Sequence, residues 1–224
     1  MNLWFRTTNM QKNISNKTFF NIGPNNAIQS ARYFKQLYRR SKLFRWQLKP
    51  QFKTTISKFM PPNDPWRGSE KIGGDILHSN FHTDRDLPDY FTFQWLRHIR
   101  DFGGDKGRIF AREEISLWLR ENTKWEAIKW NPKFLAERLC NLVFTYKWYA
   151  ASAPVSFQNK LLYQLALEFQ CLALDWQNQV AIDDQLSALR GLLVTQAAFN
   201  TKIAEMSSLV DIFENKLSEI INED

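Results

Sequence analysis

Two cysteines and three histidines are all that the 224 residues hold of those types. Cys140 and Cys171 are too few for a disulfide-dense scaffold, a multi-cysteine zinc site or an iron–sulfur cluster. His78, His82 and His98 leave little for an imidazole-rich metal centre. The eight glycines form no phosphate-binding loop, and neither a His-Glu-x-x-His helix nor a Gly-x-Ser-x-Gly elbow is present. No apolar run reaches the roughly 18 residues that a membrane-spanning helix needs. The first thirty residues are polar and Asn-rich, without the apolar stretch of a signal peptide. A cytoplasmic location is therefore the default expectation, and no metal or cofactor is expected.

Aromatic residues are plentiful instead. Nine Trp and eighteen Phe promise a bulky core, and 24% charged residues mark a globular composition. The net charge of +7 hides an asymmetry. Residues 1–60 carry twelve Lys or Arg and no acid, whereas the remainder carries a net −5. In the stretch ARYFKQLYRRSKLFRWQLK, Arg32, Lys35, Arg39, Arg40, Lys42 and Arg45 interleave with aromatics. These six are candidate contacts to an anionic surface, either an acidic polysaccharide or an anionic membrane. Such a segment equally serves as a solvated helix face packed on the following domain. Nucleic acid is disfavoured, because no zinc finger, RNP-like signature or helix-turn-helix pattern accompanies the charge.

The chain divides at the Pro- and Gly-rich stretch 59–81. Residues 1–58 read as a basic arm with one helix at about 26–47, ended by Pro50. Residues 59–81 read as an ordered irregular loop. From residue 91 onward the apolar spacing is helical, giving six successive segments at about 91–102, 106–122, 132–151, 154–177, 181–200 and 201–221. Asn131–Pro132 is a helix start, since the Asn side chain accepts an orphan N–H and proline needs no bond at the first position. Gly103–Gly104 stop the helix before them. The expected fold class is all-α, with short loops joining antiparallel helical hairpins.

No complete catalytic constellation emerges. His78, His82, Asp84 and Asp86 lie in an expected loop, so their spacing carries little metal-site geometry. His98 sits beside an apolar stripe, and Tyr146, Tyr149 and Tyr163 read as packing residues. Both cysteines read as small buried hydrophobes. Sugar rings stack on exposed indoles, so Trp66, Trp95, Trp125 and Trp130, with His98, are candidate carbohydrate contacts near element ends.

DPWRG at 64–68, GGDILHSNF at 73–81 and FQWLRHIRDFGG at 93–104 resemble the opening of bacterial heparinase II/III-like proteins. The W-x-x-x-x-W segment at 125–130, LSALRGLLVTQAAF at 186–199 and EIINED at 219–224 continue the likeness. The resemblance implies an N-terminal α/α toroid, of which residues 59–224 would be an incomplete portion. It also implies a polysaccharide lyase lineage that cleaves uronic-acid linkages by β-elimination. Asp224 matches the first residue of the segment that opens the active-site lining in such relatives, and Tyr90–Gln94 depart from the family pattern. No catalytic residue carries over. The expectation is a non-catalytic, truncated N-terminal fragment, with a binding module or part of a split lyase as alternatives. The stripe Met206, Val210, Phe213, Leu217 and Ile220 is expected to lack cover, favouring a homo-oligomer or a separately encoded remainder of the toroid.

Overall fold

The computed structural model describes residues 33–48, 58–78, 85–122, 124–200 and 203–223, without the side chains of 203–206, 220, 222 and 223. Arg32, His82 and Asp84 fall outside that set. Among the described residues the regular structure is helical and no strand occurs. Met1–Leu37 and Tyr38–Asp224 are two compact units. In the first, residues 33–37 are helical and Tyr33 meets Phe34 edge-on.

The second unit carries α1 (Lys42–Gln47), α2 (Glu70–His78), α3 (Pro88–Phe91), α4 (Leu96–Phe102), α5 (Gly104–Glu121), α6 (Pro132–Tyr149), α7 (Val155–Asp175), α8 (Ile182–Phe199) and α9 (Ile203–Glu223). The continuous helix expected near 26–47 is interrupted at Ser41, whose hydroxyl caps α1 by accepting the Phe44 N–H. Asn131 caps α6 as its sequence suggests, accepting the Lys133 N–H at 3.0 Å. Asn200 closes α8 in the left-handed conformation that Asn tolerates.

Helix α6 is the hub. It packs most extensively on α8, and Gly191 is required there because a Cβ would lie 2.7 Å from Ala136 Cα. Leu135, Leu139, Val143, Leu161, Leu165, Leu172, Ala188 and Leu192 fill the seams among α6, α7 and α8. Phe59 enters the same core, with Tyr146 at 4.7 Å and Phe199 at 5.1 Å between ring centroids. On α9, Leu209 packs against this core, whereas Leu217 and Ile221 are exposed.

Two local expectations are corrected. The stretch 59–81 is not wholly irregular, since Glu70–His78 is helix α2. Its glycines serve packing: a Cβ on Gly73 would stand 2.2 Å from the His98 carbonyl oxygen. Contact with α4 thus outweighs the poor helix propensity of Gly-Gly. Conversely, 91–102 is not one helix. Thr92–Trp95 form a turn in which buried Phe93 adopts φ 59°, a strained conformation for a bulky residue. Side chains of α6 hold that turn, with Asn141 Nδ2 donating to the Thr92 carbonyl at 2.9 Å and Arg138 donating to that of Phe91 at 3.3 Å.

Arg138 lies at the centre of the unit, fully buried. Its Nε donates to Glu168 Oε2 at 2.9 Å, and a terminal nitrogen donates to the Lys129 carbonyl at 3.0 Å. Its guanidinium stands 4.7 Å from the Trp118 ring centroid, and Gln164 donates to the other Glu168 oxygen at 2.9 Å. Four segments are tied through one cation.

Candidate functional site

The motif residues 64–68 and 93–104 meet in a clasp between the loop before α2 and helix α4. Asp64, its side chain buried, accepts from Arg97 Nε at 2.9 Å and from Arg100 at 2.7 Å. Asp101 accepts the Gly68 N–H at 2.6 Å and Arg100 Nε at 2.7 Å. Those bonds, led by Arg100, hold its carboxyl below the ordinary range. The Ser69 N–H donates to His98 Nδ1 at 2.8 Å. Burial, aided by Arg97 and opposed by Asp101, lowers the His98 pKa. The imidazole is therefore a neutral acceptor that pins the clasp.

The clasp aims Trp66 and Arg97 into a cleft of about 270 Å³, completed by Gln94, Glu137, Cys140, Asn141 and Arg190. The Arg97 and Arg190 guanidinium carbons lie 5.2 and 5.9 Å from the Trp66 ring centroid, with Phe144 edge-on to the same ring. Trp66 remains 46% exposed. Cation–π contact restrains both guanidinium groups, and Arg97 is further held by its Nε–H bond to Asp64. Burial raises the Glu137 pKa, against the pull of nearby Arg190 and Lys133. Cys140 lines the wall as a buried thiol pushed up to about 11, which excludes a thiolate role at neutral pH. Two guanidinium groups, one indole, two carboxamides and one carboxyl thus line the same space. Such a set suits a hydroxylated anion whose carboxylate is taken by arginine.

A second cleft, of about 190 Å³, is lined by Arg39, Arg40, Ser41, Lys42, Phe44, Arg45, Leu48, Lys124, Trp125, Trp130, Gln164 and Leu167. Here the structure brings four of the six basic candidates, Arg39, Arg40, Lys42 and Arg45, together with two of the tryptophan candidates. Arg39 is ion-paired with buried Asp175 and stacks over Trp125 at 5.4 Å. Trp125 and Trp130 each bury an indole N–H that has no acceptor among the described residues. Lys35 is exposed in the first unit.

The remaining candidates are structural. Trp95 is 3% exposed and donates its indole N–H to the Tyr90 carbonyl, so it is core and not ligand surface. Tyr146 is buried with its phenol pushed up to about 12, and buried Tyr149 is raised well above the ordinary value. His78 contacts the Gly74 carbonyl at 2.6 Å, and Asp86 pairs with Lys129 at 2.9 Å. Arg97, Arg190 and Glu137 escaped sequence reasoning. Their convergence depends on the relative rotation of α4, α6 and α8, for which the sequence offers no single motif.

No family model, no curated protein and no solved structure matches this chain.

Proposed function

We propose that this chain is an acidic-saccharide-binding helical module, akin to the N-terminal α/α toroid portion of heparinase II/III-like polysaccharide lyases. Its role in this reading is to grip a uronic-acid residue, not to cleave it. The observation that carries the reading is the gathering of Arg97 and Arg190 over the ring of the half-exposed Trp66, in a cleft shared with Glu137 and Asn141. A uronate supplies a carboxylate for the guanidinium pair, an apolar ring face for the indole edge, and hydroxyls for Gln94, Asn141 and Glu137. The likeness of the clasp motifs to heparinase II/III-like openings supports the choice of a uronate over other hydroxylated anions.

Calorimetric titration of the full chain with a uronic-acid oligosaccharide, and with its carboxyl-reduced counterpart, tests the proposal. Preference for the acidic form, lost about tenfold or more in Arg190→Gln, is the expected result. Equal affinity for both forms, or no binding of either, overturns it. Ultraviolet absorbance by an unsaturated uronic product during the titration would overturn the non-catalytic part.

A further inference from the structure

The second cleft and the helix beside it point to a different partner. We infer that α1 and its flanks dock on an anionic lipid surface. The short helix splits its side chains between two fates. Phe44 and Leu48 turn inward and are buried, while Leu43 and Trp46 stand 60% and 67% exposed. Ser41 fixes that division by capping the helix, because its hydroxyl sets where α1 begins. The exposed Arg40, Lys42 and Arg45 lie within a few residues of the outward pair along the chain, and with Lys124 they line the adjoining cleft. No acidic residue lies in the first sixty positions, and Asp175, which pairs with Arg39, is buried.

Charge alone would suit any polyanion. The exposed apolar pair decides between partners. Trp and Leu side by side with cations match the water–lipid boundary, where the indole sits at headgroup depth and basic side chains meet anionic headgroups. A hydrated glycan or a nucleic-acid phosphate backbone offers Leu43 nothing to bury against. The cleft has the same two-part character, with Phe44, Leu48, Trp125, Trp130 and Leu167 forming an apolar interior beneath a basic rim. An anionic headgroup over an apolar tail has the complementary polarity.

Vesicle flotation of the full chain distinguishes the occupants. One set of vesicles is phosphatidylcholine alone, and the other carries about one-third phosphatidylserine. The chain is expected to float with the phosphatidylserine vesicles at low ionic strength and to be released as salt rises. Leu43→Ser with Trp46→Ser should reduce flotation about tenfold, and Arg40→Glu with Lys42→Glu should abolish it. All four side chains are exposed, so the variants should retain the parent's circular dichroism and melting temperature. Arg190→Gln should float like the parent, which separates this site from the saccharide cleft. Equal flotation with both vesicle types, no flotation, or full retention in the Leu43→Ser/Trp46→Ser variant overturns the inference. So does displacement from the vesicles by duplex DNA or heparin with the Leu43 and Trp46 substitutions making no difference to either ligand.

Discussion

Removing Glu168 should reveal how much of the fold hangs on one buried ion pair. Arg138 and Glu168 are both fully buried, so Glu168→Leu leaves a guanidinium charge in the core with only the Phe91 and Lys129 carbonyls and the Trp118 ring around it. Breaking a buried pair from one side costs about 3–5 kcal/mol. That is a third or more of the roughly 5–15 kcal/mol that stabilises a typical domain. Arg138→Met should cost about as much, since it strands the carboxylate and frees both carbonyls. In the double variant both charges are gone, and the remaining deficit is two unpaired carbonyls and the Gln164 amide at about 1–3 kcal/mol each. The single losses together therefore exceed the double loss, with a coupling of about 2 kcal/mol. Urea unfolding followed by circular dichroism, with a common slope across the four proteins, measures each value. A Glu168→Leu loss below about 1 kcal/mol, or additivity within about 0.5 kcal/mol, would refute the claim that the pair is a mutual dependency.

Three further outcomes are expected. Gly73→Ala should destabilise the chain by about 1–3 kcal/mol in the same assay, because the new methyl meets the His98 backbone carbonyl and not a yielding side chain. Acid should loosen the clasp: His98 binds its proton less readily when folded, so its contribution is present above the ordinary histidine range and lost as pH falls below it. Parent stability should therefore fall as pH drops below the ordinary histidine range, while His98→Asn, which keeps an acceptor that does not titrate, should show a flatter profile. At the first cleft, if it takes the proposed anionic ligand, the raised Glu137 pKa gives the opposite trend, because protonation removes a negative charge facing that ligand. Affinity should rise as pH falls from neutral toward the carboxylate range, and Glu137→Gln should bind more tightly at neutral pH and lose that dependence in calorimetric titrations.

Local rules carried the sequence reading where local physics decides structure. The Asn131–Pro132 start, the Gly103–Gly104 stop and the 3–4 apolar spacing of α6, α7 and α8 are each settled within one or two turns. Helix α2 escaped because Gly73 and Gly74 lower local propensity, while α4 repays close approach to a backbone without side chains. The turn at Phe93 escaped for the converse reason. FTFQW reads as part of a helix, whereas Arg138 and Asn141 reach from α6, and Trp95 from within the turn, to bond carbonyls of Tyr90–Thr92. Trp66, singled out for its place in a Pro-rich loop, lines the first cleft, and Trp125 and Trp130, singled out near element ends, line the second, with Trp130 itself buried in the core. Arg97 and Arg190 were not, since ninety-odd residues separate two side chains that share one indole.

The contact between Gly191 and Ala136 has a consequence for the cleft beside Trp66. Arg190 directly precedes the glycine, and Glu137 directly follows the alanine. The place where α6 and α8 touch backbone to backbone therefore acts as a gauge, setting how far apart the cation and the carboxyl stand. A larger residue at either position would wedge the helices and widen the gap without touching a ligand. Cleft width is thereby inherited from a missing side chain, and it could drift or be tuned through positions that no ligand ever meets.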